Sequence, residues 1–136
     1  MLKIAVFNYE EVEDLVFSFV KYNIEFNKSN RVTLFSLPEE FYIAAEEGHE
    51  YDVIFINLDT CADFAAEIAD FVRNELVNDV TGIVFISSDK EAFDNIEMHP
   101  RNYLIDEVNY DKISEFIGFY TRQSLKAFNL LSSSNV

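Results

Sequence analysis

The stretch Val53-Ile54-Phe55-Ile56-Asn57-Leu58-Asp59 decides how this chain folds. Its first four residues are apolar without a break, whereas a strand with one wet face would alternate polar and apolar positions. A run apolar on both faces suits a strand of a parallel sheet that helices cover on both sides. The same pattern recurs on either side of it. Ile4-Ala5-Val6-Phe7 ends at Asn8, Val32-Thr33-Leu34-Phe35 follows, and Ile83-Val84-Phe85-Ile86 and the shorter Tyr103-Leu104-Ile105 come later. The segments between are helical in period. Val12, Leu15, Val16, Phe19 and Val20 fall on one face after an acidic first turn. Phe64, Ile68, Phe71, Val72 and Leu76 do the same, with Asp59 or Thr60 as the expected N-cap. Ile113, Phe116, Ile117, Tyr120 and Phe128 mark a last helix that runs toward Leu131. Successive βα units of this kind predict a doubly wound α/β fold, a five-stranded parallel sheet with five helices and right-handed crossovers.

Composition fits one such domain. The 136 residues are 49% apolar and include 14 Phe and 7 Tyr, enough for a core. The formal net charge of −15 opposes nucleic acid, whose duplex carries a negative charge every ~1.7 Å. Cys61 is the sole cysteine, so neither an intramolecular disulfide nor a cysteine-based zinc site can form, and a reducing compartment, the cytoplasm, is expected. The apolar run at residues 2–7 is too short for a signal peptide, and no stretch reaches the ~18 apolar residues of a membrane span. With 3 Gly and no GxGxxG or GxxxxGK[ST], the dinucleotide and P-loop readings fall away.

In an open parallel sheet, ligands meet the carboxyl ends of the strands. That singles out Asn8 and Tyr9, Ser36, Asn57 to Asp59, Ser87 and Ser88, and Asp106 and Glu107.

Residues 2 to about 120 resemble the receiver domain of two-component response regulators (CheY-like), closest to those attached to LytTR-type DNA-binding domains. The likeness rests on Ile4–Phe7 followed by Asn8-Tyr9-Glu10-Glu11, on Tyr51 to Asp59, on Glu67-Ile68-Ala69 and Val72-Arg73, on Ile83 to Ser87, and on Asn102 to Ile105. It implies the flavodoxin-like strand order 2-1-3-4-5, a receiver-like domain over residues 1–121, and an extension of the last helix with a tail or linker over 122–136. It also implies phosphoryl transfer to an Asp at the end of the third strand, helped by Mg²⁺, an acidic pair, a hydroxyl and a Lys. At the matching positions this chain carries other chemistry. The acidic pair is Asn8 and Tyr9, the acceptor position is Asn57, and the Lys-Pro pair is Asp106-Glu107. The Pro and Gly that follow the acceptor are replaced as well, by Cys61, Ala62 and Ala65. An amide is neither a nucleophile nor a good metal ligand, and carboxylates without a cation oppose a phosphoryl group. The resemblance therefore points to a degenerate site with no metal and no cofactor. Two positions survive, the switch hydroxyl Ser87 and the switch aromatic Tyr103, although a Ser at a strand end and a Tyr in a short strand are also ordinary turn and core residues.

The remaining candidates weigh less. Asp59 is the one carboxylate beside the acceptor position, but two residues past Asn57 it reads first as a capping or pre-helical residue. Cys61 stands at the expected mouth of the same pocket near a helix N-terminus, with Asp59 and Asp63 opposing a thiolate. His49 and His99 lie in separate loops with no ligand spacing around them, and no nucleophile–base pair is visible. The acidic groups at 10–14, 39–40 and 46–47 suit helix starts, or a docking face for a basic partner. In the last helix Tyr120, Phe128, Leu130 and Leu131 exceed what one core face needs.

The sequence thus predicts a non-enzymatic signalling domain, independent of phosphorylation, that acts through protein interaction or homodimerisation. The resemblance places that contact on the face of the fourth helix, fifth strand and fifth helix. It makes the chain the regulatory part of a transcriptional regulator, without direct nucleic-acid or membrane binding of its own. A conventional phosphorelay receiver using Asp59 is the alternative, and a flavodoxin-like cofactor binder lacks a Ser/Thr/Gly-rich first loop.

Overall fold

The computed structural model describes residues 2–8, 31–87, 89–94, 96, 99–105 and 111–122. Five strands form one parallel sheet: β1 (Lys3–Phe7), β2 (Arg31–Phe35), β3 (Val53–Asn57), β4 (Gly82–Ile86) and β5 (Asn102–Ile105). Their order is β2-β1-β3-β4-β5, with Ala5 opposite Ile54, Ile54 opposite Ile83, and Val84 opposite Tyr103. Helix α1 (Pro38–Glu46) follows β2, and α2 (Leu58–Asp70) leaves β3 and widens into a π turn over Phe71–Glu75. Helix α3 covers residues 111–122.

The unbroken apolar runs are explained by the two cores. Ala5, Phe7, Ile54, Ile56, Ile83 and Phe85 face α1 and α2, where Phe41, Ala65, Ile68 and Val72 meet them. Their neighbours Ile4, Val6, Val53, Phe55, Val84 and Ile86 face the other way, against Ile113, Ile117 and Tyr120 of α3. Every second residue is buried on each side, so none is free to be polar. Rings concentrate on the α1–α2 side: Phe7 stacks on Phe35 at 5.3 Å, and Phe35 meets Phe41 edge-on at 5.4 Å. On the α3 side the Tyr120 ring lies directly over Gly82, where a Cβ would fall 1.7 Å from the phenol oxygen.

The expected count of five helices is not matched. Among the described residues there are three α-helices, and between β4 and β5 the chain makes only a 3₁₀ turn, Lys90–Phe93. That turn starts on Asp89, whose side chain accepts the Glu91 N–H, and it gives way at Asp94, a weak helix former. Among the described residues of this segment, Ala92, Phe93 and Ile96 pack against the core. The helix expected over 12–20, and the continuation of the last helix past 122, lie outside the described residues. The start of α2 is also corrected: its N-cap is Asn57, ahead of both Asp59 and Thr60.

Candidate functional site

Three strands deliver polar residues to the carboxyl end of the sheet: β1 leads to Asn8, β3 ends on Asn57, and β4 leads to Ser87. All three are buried, at 3%, 4% and 0% exposure. The ladder extends to this edge, since the Asn8 N–H reaches the Phe35 carbonyl at 2.9 Å and the Ser87 N–H the Ile105 carbonyl at 3.1 Å. A buried polar side chain must find a partner, and these find one another. Asn57 Oδ1 accepts the Asp59 N–H at 3.0 Å, which satisfies an otherwise orphaned donor in the first turn of α2. The Thr60 hydroxyl donates to Asn8 Oδ1 at 3.0 Å, joining β1 to α2. The Ser87 hydroxyl donates to Asp59 Oδ1 at 2.8 Å and accepts the Asp89 N–H at 3.0 Å, joining α2 to the loop after β4. Asp59 itself is exposed, in the first turn of a helix whose dipole favours its charge.

The expected residues therefore divide. Asn8, Asn57, Asp59 and Ser87 come together in one crevice. Tyr103 does not join them: it lies in β5 against Phe116 of α3, with ring centroids 5.2 Å apart. Tyr9, Ser88, Asp106 and Glu107 fall outside the described residues. Cys61 is corrected from the pocket mouth to the core, at 1% exposure among the α2-side residues. Its backbone (φ −121°, ψ 22°) breaks the first turn of α2 from the rest, and its sulfur lies 3.5 Å from the hydroxyl of Thr60.

Other polar centres emerge only in three dimensions. Thr60 and Asp89 complete the crevice but are undistinguished in sequence. His99 Nε2 lies 3.3 Å from Asp79, and His99 Nδ1 accepts the Arg101 N–H at 3.1 Å, so the imidazole presents its proton to the carboxylate. Arg73, buried in the π turn, donates to the carbonyls of Asn78, Thr81 and Arg101 and to Asn102 Oδ1, at 2.7–3.2 Å. Burial lowers its pKa, and the charge of Asp79 partly offsets this. Guanidinium chemistry keeps it protonated, so it acts as a fixed cationic clamp between the starts of β4 and β5.

The Mg²⁺ that a receiver reaction requires does not fit the described part of the crevice. Its amides are engaged as acceptors by Asp59 N–H and Thr60, its two carboxylates accept the Ser87 hydroxyl (Asp59) and the Glu91 N–H (Asp89), and among the described residues no group of three His, Cys, Asp or Glu side chains could hold a metal. Asn57 cannot form an acyl phosphate, because an amide has no carboxylate oxygen to attack with. What the arrangement does chemically is lock three strand ends and a helix start into one hydrogen-bonded unit. No helix among the described residues is long and apolar enough to cross a membrane. No protein-family model, curated protein or solved structure matches the chain.

Proposed function

We propose that this chain is a receiver-like signalling domain that works without phosphoryl transfer, as a protein-interaction and dimerisation module regulating an output domain such as a transcriptional regulator's. The observation that carries this reading is the closure of the crevice on itself. Asn57, at the acceptor position, is used as a helix cap, and Ser87, at the switch-hydroxyl position, is held by the protein's own Asp59 carboxylate. A phosphoryl group arriving there would have to displace that carboxylate and stand beside its charge without a neutralising cation, which is electrostatically opposed.

The proposed contact face is the edge strand β5 with α3. Leu104 on β5 and Phe119 on α3 remain 40% and 38% exposed, and among the described residues the chain between β4 and β5 forms only the short Lys90–Phe93 turn. Sedimentation equilibrium tests the reading. The protein is expected to dimerise equally with and without acetyl phosphate and Mg²⁺, and Leu104→Glu is expected to shift it to monomer. Dimerisation that appears only with the phosphodonor would count for the conventional receiver, in which Asp59 accepts the phosphoryl group.

A further inference from the structure

At the opposite, amino-terminal end of the sheet lies a cavity of about 650 Å³. Its floor is apolar, with Phe41, Ile54 and Val72 from the α1–α2 core. Glu50, Asp52 and Asp79 place carboxylates on its rim against the single lysine, Lys3. Its outer wall is the loop after the π turn, where Leu76, Val77 and Val80 are 42%, 77% and 80% exposed. Scattered apolar residues on a surface need no explanation, but these sit together on the lip of a cavity with an apolar floor.

The loop is also held rigidly. Asn78 Oδ1 accepts the N–H groups of Val80 and Thr81 at 2.9 and 3.0 Å, and its amide donates to Thr81 Oγ1 at 2.7 Å. Thr81 Oγ1 in turn donates to the Tyr51 carbonyl at 2.7 Å, and Arg73 clamps the carbonyls of Asn78 and Thr81. Within this frame Val77 adopts φ +49°, a left-handed conformation unfavourable for a β-branched residue. A network of side-chain hydrogen bonds is thus used to fix valines that face water. Such preorganisation lowers the ordering cost of association.

We infer that this groove docks a basic segment of a partner protein, one that inserts apolar side chains over Val77 and Val80 and sets Lys or Arg against Glu50, Asp52 and Asp79. Charge complementarity selects this occupant. A second copy docking through this same face would set Glu50, Asp52 and Asp79 against their own like charges, and an anionic membrane surface would meet the same carboxylates. The lip valines stand out into water, Val77 and Val80 being 77% and 80% exposed, which suits a peptide better than a compact small molecule. The inference stands on this end of the sheet alone and is independent of the receiver reading.

The test uses an amphipathic Leu/Lys helical peptide as probe, with its Leu/Glu counterpart as control, followed by fluorescence anisotropy and by amide NMR of the folded protein. Saturable binding of the Leu/Lys peptide alone is expected, with shifts at Glu50, Asp52, Val77, Asp79 and Val80 and weakening at higher salt. The pair Glu50→Lys and Asp79→Lys, or the pair Val77→Ser and Val80→Ser, is expected to weaken it about tenfold or more, whereas the charge-matched Asp63→Lys and Glu91→Lys at the other end of the sheet changes it less than about threefold. No saturable binding, equal binding of the Leu/Glu peptide, equal loss in the charge-matched control, or shifts elsewhere on the wild-type protein would each overturn the inference. So would concentration-dependent shifts at these residues without peptide, which would assign the face to self-association. The wild-type NMR map decides the matter even if a variant fails to fold.

Discussion

The hydroxyl of Ser87 donates to Asp59 Oδ1 at 2.8 Å across 28 residues of sequence, and Ser87 Oγ itself accepts the Asp89 N–H. Ser87 is fully buried while Asp59 reaches water, so the bond fastens a core strand end to an exposed helix start. With Asn57 capping the same helix and Thr60 tied to Asn8, the carboxyl edge of the sheet is held by side chains that a phosphotransfer site would need free.

Asn57 carries the local part of this frame. Asn57→Ala removes the oxygen that accepts the Asp59 N–H and is expected to cost about 1–2 kcal/mol of stability, as helix caps do. Asn57→Ser keeps a capping oxygen and should cost less. Urea denaturation of the two variants beside the wild type measures both.

Gly82 is required by packing rather than by a special backbone angle. A Cβ at this position would lie 1.7 Å from the Tyr120 oxygen and 2.3 Å from the ring carbon that bears it. Gly82→Ala is therefore expected to destabilise by about 3 kcal/mol or more through overpacking. The penalty should shrink in a Tyr120→Leu background, and a double-mutant cycle reads the coupling.

Val77 runs the other way. Its φ of +49° suits Asn or Gly better than a β-branched side chain, and at 77% exposure little packing is lost on replacement. Val77→Asn is expected to raise stability by about 1 kcal/mol, seen as a higher Tm, while weakening the docking inferred above.

Tyr42 sets an alkaline limit. Burial, helped by its 2.8 Å hydrogen bond to Glu67, pushes its pKa up to about 12 from 10. A raised folded-state pKa means the contribution is complete below pH 10 and is lost as pH climbs from 10 through 12. Burial raises Tyr51 and Tyr120 as well, so stability should fall throughout that range. Tyr42→Phe is expected to flatten part of the decline, measured as denaturation midpoint against pH.

The strands were legible because both sheet faces are covered, which leaves Ile4–Phe7 or Ile83–Ile86 no position for a polar residue. Helix starts were less so. Asn57 ends a strand and caps a helix at once, and hydropathy does not distinguish those roles. Helix α1 buries only Pro38 and Phe41, too little for a periodic signal, and it begins on Glu40 accepting the N–H groups of Ser36 and Leu37. The crevice could be located from its strand ends, but its wiring could not. Thr60 reaches Asn8 across 52 residues and Arg73 reaches Asn102 across 29, pairings that only the folded sheet creates. Cys61 looked accessible from its place in a first helical turn, but it is buried in the core at a kink in the helix.

The most direct test of a receiver-like domain without the receiver's reaction is intact-mass analysis of the folded protein after incubation with acetyl phosphate and Mg²⁺. The expected result is an unchanged mass, in the wild type and in Asp59→Asn alike. A stoichiometric phosphoryl adduct on the wild type, lost in Asp59→Asn, would contradict it and make Asp59 a displaced phosphoacceptor.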